Sequence, residues 1–249
     1  MFYNKRMLYQ IKEKTQQHGI KVGSLTLLKD LSIPSVSREG ELPSKGPLLI
    51  ISNHPGVFDS LLLFSQVERD DLFFIALSTY GVFGPKVQER LLPLYRVRRL
   101  NHKIYEYPLC LQTDEKPIEN LKPPEIRLRN RETIRKAADL INNGRAVSIF
   151  PTGEAGKSLD GIKWKAGVGF LIKQITHPKT QVVFTSIHGT RNSDLTALMH
   201  PIIRKLFYKP RPILIRFSKS KLLHELIDST HDGKMIARRL EYQYNNYWV

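Results

Sequence analysis

The stretch PLLIISNHPGVFD at residues 47–59 sets the pattern for the rest of the chain. Its first half is a short apolar run that leads into a turn, which is typical of a buried β-strand. Pro55 and Gly56 interrupt any continuous helix between His54 and Asp59. A helix is then predicted from Asp59 to Gln66. The stretch therefore predicts a strand–loop–helix unit, with His54 on the loop and Asp59 in the first helical turn.

The same alternation continues along the chain. Further strands are predicted at residues 72–77, 94–99, 146–150, 181–187 and 212–217, and helices at 82–92, 132–143, 166–175 and 232–244. Residues 34–47 are rich in Gly, Pro and Ser and are predicted to be a connection, and residues 101–130 a long insertion without clear periodicity. We therefore predict an α/β fold, a single domain with a mixed, mostly parallel sheet flanked by helices.

Composition limits the possible partners and cofactors. Of the 249 residues, 39 are Lys or Arg and 23 are Asp or Glu, which gives a net charge of +16. Such a charge favours nucleic acid, an anionic membrane surface or phosphorylated substrates as partners. The single cysteine, Cys110, excludes an internal disulfide and a Cys-rich metal site. The histidines outside the 52–59 stretch show no metal-ligand spacing, so we predict neither a metal nor a cofactor.

The N-terminus is predicted to form an amphipathic helix. Residues 1–18 combine apolar side chains with basic ones, which are Phe2, Met7, Leu8, Ile11, Lys5, Arg6, Lys12 and Lys14. This composition fits a helix on an anionic membrane surface, and it equally fits a helix packed on the protein's own core. We divide the chain into a helical segment, 1–33, and a main domain, 34–249. No apolar run approaches the roughly 18 residues of a membrane span, and no secretory signal is visible, so we expect a cytoplasmic, peripherally membrane-associated protein.

A second stretch, FPTGEAGKS at residues 150–158, ends like a nucleotide-binding P-loop. The P-loop requires a glycine five positions before Gly156, and that position is Pro151. Proline has a fixed φ and no backbone N–H, so it supplies neither the tight turn nor the phosphate-facing amide. The P-loop interpretation therefore fails, and the stretch needs another explanation.

His54 and Asp59 are candidates for acid–base chemistry. If the loop folds back, the Asp59 carboxylate accepts a hydrogen bond from one imidazole nitrogen and leaves the other free as a base. The alternative is a histidine that only caps a turn, since His-x4-Asp alone is a weak signal.

The setting of these two stretches resembles the glycerolipid acyltransferase superfamily, of the lysophosphatidic acid acyltransferase type. NHPGVFD matches its first block, N-H-x4-D, and FPTGEAGKS is similar to its third block, F-P-E-G-T-R-S. LPLYRVRR at 92–99 looks like its second block, and the resemblance covers roughly residues 45–217. The chain departs from the family at Thr152, which replaces a Glu, and at Lys157, which replaces an Arg. The fourth-block strand, VVFTSIHG, lacks the usual proline.

The resemblance implies transfer of an acyl group from acyl-CoA or acyl-carrier protein to a hydroxyl of lysophosphatidate, glycerol 3-phosphate or a related lysolipid, in phospholipid biosynthesis. His54 would act as general base and Asp59 would orient it. The implied substrate-binding residues are Arg96, Gly153, Glu154, Gly156, Lys157 and Ser158. Glycines at a strand end also permit close approach of backbone amides to an anion, although they equally suit a plain turn.

Two other functions remain open from the sequence. The charge permits a basic nucleic-acid-binding protein, although no RNP-like, zinc-finger or helix-turn-helix signature accompanies it, so no nucleic-acid partner is expected. The departures from the third and fourth blocks permit an inactive, lipid-binding relative of the acyltransferases.

Overall fold

The structure, a computed structural model, describes residues 5–95, 122–156, 163–194, 201–228 and 231–248. Its strands are β1 Val36–Glu39, β2 Leu48–Ser52, β3 Leu72–Leu77, β4 Leu91–Leu94, β5 Ala146–Ile149, β6 Gln181–His188, β7 Ile213–Phe217 and β8 Lys221–Leu222. Its α-helices are α1 Lys5–Asp30, α2 Asp59–Gln66, α3 Pro85–Arg90, α4 Pro123–Asn142, α5 Gly167–Ile172, α6 Pro201–Phe207, α7 Leu223–Leu226 and α8 Gly233–Tyr247. A 3₁₀ helix covers Ser78–Phe83.

The strands of the described residues form one mixed sheet in the order β1-β7-β6-β2-β5-β3-β4, with β8 paired to β6. All pairs are parallel except β6 with β7 and β6 with β8. The five residues of β2 are all buried, as expected for a central strand covered on both faces. The prediction of a mixed, mostly parallel sheet flanked by helices is confirmed.

Two apolar layers cover the sheet. Alternate side chains of β2, such as Leu48 and Ile50, pack with α1, α2 and α3 on one face. The intervening side chains, Leu49 and Ile51, pack with α4, α5 and α8 on the other. The alternation follows from the two-residue period of a strand.

Helix α1 packs on the first of these layers. Ile11 is 1% exposed, and Leu27 and Leu28 further along the helix are also buried in the core. Gly19 interrupts the helix with φ 85° and ψ 170°, so α1 consists of two segments. Of the two alternatives for this segment, packing on the protein's own core holds at Ile11, because this side chain is buried within the protein. No helix within the described ranges is both long enough and apolar enough to cross a bilayer.

Three local predictions are corrected by the structure. The helix predicted at 82–92 is replaced by α3 and then β4, which ends at Leu94. Residues 96–99 of the strand predicted at 94–99 lie outside the described residues. Strand β4 contains Pro93, which is tolerated because β4 lies at the edge of the sheet. The predicted connection at 34–47 contains β1. The insertion predicted at 101–130 contains the start of α4, whose first turn accommodates Pro123 and Pro124.

Candidate active site

The loop after β2 places His54 beside the start of α2. His54 Nδ1 lies 2.9 Å from Asp59 Oδ2, and the backbone N–H of Gly56 donates to the same oxygen at 2.8 Å. The Asp59 side chain is fully buried, whereas that of His54 is 14% exposed. The carboxylate therefore holds one imidazole nitrogen inside the protein and leaves the ring at the surface of the site. Within the described residues no hydrogen bond engages Nε2.

Asn53 fixes this loop to the neighbouring strand. Its side-chain amide donates to the carbonyl of Ile187 at 2.8 Å and accepts from the N–H of the same residue at 2.6 Å. The β2–β6 register ends at the pair Ser52–Thr185, so the Asn53 side chain extends the ladder as a peptide group would. This pairing sets where the chain leaves the sheet and therefore where His54 lies.

The loop after β5, which begins FPTGEAG, holds His54 from the other side. The imidazole stacks on the Phe150 ring with centroids 4.3 Å apart and planes at 24°. The N–H of Gly156 donates to the carbonyl of His54 at 2.8 Å. The imidazole ring is thus held at Nδ1 by Asp59 and on one face by Phe150. The backbone of His54 is held by Gly156.

The backbone amides of Gly153 and Gly156 donate hydrogen bonds within the protein, whereas the sequence suggested that amides of this loop face an anion. The N–H of Gly153 donates to the Phe150 carbonyl at 2.9 Å, and that of Gly156 is engaged by His54. Both glycines have positive φ, 64° and 81°, which explains the need for glycine at each. Glu154 pairs with Lys165 at 3.3 Å on the surface. The two amides are therefore used inside the protein, and the substrate-binding role of these residues remains a prediction.

The loop after β6 completes the site. A Cβ added at Gly56 would lie 2.6 Å from the Cβ of Thr190, so this loop packs directly on the His54 loop. Asn192 packs against Gly156, and its side-chain amide donates to the carbonyl of Ala155 at 2.7 Å. Three loops, from the carboxyl ends of β2, β5 and β6, therefore converge at one edge of the sheet, where ligand sites of open α/β sheets lie.

Arg211 anchors this third loop to β7. Its guanidinium donates to the carbonyl of Gly189 at 2.7 Å and to Asp194 at 2.6 Å. The second carboxylate oxygen of Asp194 accepts from the N–H of Arg191 at 2.7 Å. The network fixes the loop that supports Gly56.

Tyr244 supports the site from the other face of the sheet. Its hydroxyl donates to the carbonyl of Thr185 at 2.8 Å, and that carbonyl also accepts from the N–H of Asn53 at 3.4 Å. Burial raises the pKa of Tyr244 above its usual range, so the hydroxyl remains a donor at neutral pH.

Of the residues predicted from the sequence, the structure brings together His54, Asp59 and Gly156, with Gly153 and Glu154 on the same loop as Gly156. Arg96, Lys157 and Ser158 lie outside the described residues. Sequence reasoning missed Asn53 and Phe150, although both stand inside the motifs quoted above. It also missed Asn192 and Arg211, for which no local motif exists.

The geometry suits general-base chemistry. An imidazole with Nδ1 held by a buried carboxylate has a fixed tautomer, so Nε2 can take a proton from a hydroxyl. The Asp59 carboxylate lies 2.9 Å from the ring that then carries the proton. No group of three or more His, Cys, Asp or Glu side chains suited to a metal ion occurs among the described residues.

Comparison with known proteins supports this interpretation of the fold. The structure is similar to the crystal structure of the 1-acyl-sn-glycerophosphate acyltransferase PlsC from Thermotoga maritima, with a TM-score of 0.50 and 14% sequence identity. The similarity covers 97% of this chain and 86% of that one, which shows a shared fold. A search of curated proteins found no significant match. A family model described as Acyltransferase matches residues 34–188, a range that contains His54, Asp59 and the FPTGEAG loop. The chain therefore belongs to the acyltransferase family.

Proposed function

We propose that the chain transfers a fatty acyl group from an acyl thioester to a hydroxyl of lysophosphatidate, glycerol 3-phosphate or a related lysolipid, in phospholipid biosynthesis. The thioester is acyl-CoA or acyl-carrier protein. The observation that carries the proposal is the hydrogen-bonded pair of His54 and Asp59, 2.9 Å apart, in a chain of the acyltransferase family.

In the proposed reaction, His54 Nε2 takes the proton of the acceptor hydroxyl as the oxygen attacks the thioester carbonyl. The C–O bond forms and the carbonyl becomes a tetrahedral oxyanion. When the oxyanion collapses, the C–S bond breaks and the sulfur leaves with the proton from the imidazolium, giving ester and free thiol. Asp59 orients the ring and stabilises its positive charge, as in serine hydrolases but without an enzyme nucleophile.

The acceptor phosphate is assigned to Arg96, Lys157 and Ser158. Guanidinium and ammonium groups suit phosphate oxygens, and the serine hydroxyl adds a donor. Because the amides of Gly153 and Gly156 donate within the protein, the glycines contribute the shape of the loop that carries Lys157 and Ser158. Glu154, on the same loop, is suited to accept from a hydroxyl of the glycerol moiety.

The charge of the chain supports an anionic acceptor in an anionic membrane. A net charge of +16 suits the protein to anionic phospholipid surfaces and to phosphorylated lysolipids. The Thermotoga maritima protein of similar fold is by name a 1-acyl-sn-glycerophosphate acyltransferase, which is consistent with this class of acceptor. We therefore propose that the enzyme is cytoplasmic and associates peripherally with the membrane.

The test is acyl transfer by the purified chain, with labelled acyl-CoA or acyl-carrier protein and a panel of acceptors with and without phosphate. The His54→Ala variant should lose about 10²–10⁴-fold in kcat, because only the chemical step needs the base. The matched control is His224→Ala, which removes an exposed histidine of α7. Transfer by His54→Ala at the rate of the unmodified protein would refute the mechanism. A folded chain that binds lysolipid without turnover would identify the inactive, lipid-binding relative.

A further inference from the structure

The surface of α6 carries large exposed apolar side chains. Ile202 is 64% exposed, and Leu206 and Phe207 are each 66% exposed. Ile202 and Leu206 are four positions apart and therefore share one side of the helix. Clusters of this kind are uncommon on a soluble surface and mark sites of association.

The cluster is basic as well as apolar. Residues 201–223 contain seven Lys or Arg and no Asp or Glu. Lys205 and Lys209, within and just after α6, are exposed and make no ion pair with any described residue. Arg211 and Arg216 of the same run are engaged by Asp194 and Glu39, so they do not add free charge. Apolar side chains flanked by exposed lysines are the combination that binds an anionic lipid surface.

The position of α6 connects it to the site edge of the sheet. Tyr208, directly after α6, is buried, and its hydroxyl donates to the carbonyl of Leu31 at 2.7 Å. Arg211, three residues later, binds the Gly189 carbonyl of the third site loop. The first residues of β7 pair with the last of β6, as in Leu214 with His188. Helix α6 is thus fixed at the edge where His54 lies.

We propose that α6, with Ile202, Lys205, Leu206, Phe207 and Lys209, is the surface that docks the protein on an anionic bilayer. The inference rests on the proposed function, because a lysolipid acceptor resides in the bilayer. Docking through α6 brings the site edge of the sheet towards the lipid headgroups. The N-terminal helix α1 has Ile11, Leu27 and Leu28 buried in the core, while its Tyr9, Val22 and Leu25 are exposed.

The experiment is flotation of the full chain with vesicles of phosphatidylcholine, alone or with about one third phosphatidylglycerol, at low salt. The double variant Leu206→Ser/Phe207→Ser should bind the anionic vesicles roughly tenfold more weakly or worse. The control Met235→Ser removes a 51% exposed side chain of α8, on the other face of the sheet, and should bind normally. Lys205→Gln should weaken binding more than Lys179→Gln, and the difference should vanish at high salt because lysine attraction is screened.

The outcomes separate this inference from the proposed function. Equal flotation of the double variant and the unmodified protein overturns the α6 assignment, whatever the transfer assay shows. Selective loss of transfer from acyl-carrier protein, with vesicle binding intact, also overturns it and assigns the surface to that donor. Weaker flotation of the double variant supports the assignment even if no transfer is found, in which case only the proposed function fails. His54→Ala should float normally, since His54 lies outside the surface.

Discussion

A single carboxylate oxygen, Asp59 Oδ2, accepts from both the Gly56 N–H and His54 Nδ1. The shared acceptor ties the position of the ring to the turn that follows it. Phe150 then limits rotation of the ring by stacking on one face. Pre-organisation of this kind lets a base act without reorganising in the transition state.

At the scale of single residues, the Asp59→Asn variant tests the orientation of the His54 ring separately from proton transfer. Its side-chain amide can donate to His54 Nδ1, and this leaves the proton on Nε2, which then no longer acts as a base. We expect kcat to fall about 10²–10⁴-fold while the fold survives, because the replacement has the same shape. Transfer kinetics and a thermal melt on the same preparation measure the two effects. A kcat close to that of the unmodified protein would show that Asp59 does not orient His54.

At the scale of elements, the site depends on contact between two loops. A Cβ at Gly56 would lie 2.6 Å from the Cβ of Thr190 and 2.8 Å from the backbone nitrogen of Arg191. Arg211 and Asp194 fix the loop after β6, so this loop has little freedom to move away from an added Cβ.

Gly56→Ala should therefore displace the His54 loop and lower kcat. We also expect a loss of about 1–3 kcal/mol of unfolding free energy from the overpacking. The control is Gly167→Ala at the start of α5, where an added Cβ meets nothing within 4 Å. Chemical denaturation and transfer kinetics measure the two effects. Unchanged kcat in Gly56→Ala would show that the two loops move independently.

The sequence predicts those parts of the fold and site that have local signals. Strand β3 and helix α2 have the predicted bounds, because their apolar pattern and turn residues are local. The pairing of His54 with Asp59 was one of two alternatives that the sequence offered, because only a short loop separates the two residues. Strand β1 was missed because its partner β7 begins at Ile213, far along the chain. The packing of Asn192 on Gly156 was missed for the same reason, since only the folded sheet brings their loops together.

At the scale of the whole molecule, Arg69 links several segments at the edge of the sheet opposite the site. Its guanidinium, in a side chain only 2% exposed, pairs with Asp71 and donates to the carbonyls of Pro43, Gly46 and Gly144. Partial burial raises the pKa of Asp71, but the hydrogen bond and charge of Arg69 outweigh this and hold that pKa below its usual range. The folded state therefore favours the ionised carboxylate.

The Asp71→Asn variant should lose about 1–3 kcal/mol of unfolding free energy at neutral pH. A lowered pKa in the folded state contributes stability above the pKa of the unfolded chain, about 4, and that stability disappears as the pH falls through the folded value. The difference between variant and unmodified protein should therefore shrink in acid. Denaturation at several pH values measures it, with the exposed neighbour Asp70→Asn as control. A difference in unfolding free energy that does not depend on pH would show that ionisation of Asp71 does not contribute to stability.

The bond from Asn53 to Ile187 has a consequence for how the enzyme is made, since it joins residues 134 positions apart. Contacts of such long range form late, because a long loop must close before they stabilise anything. During synthesis the N-terminal part of the chain emerges first, so β2 is made before β6, one of the two strands with which it pairs. A nascent chain that ends before residue 187 therefore carries the whole His-x4-Asp motif but not Ile187, the residue that Asn53 binds to position the loop.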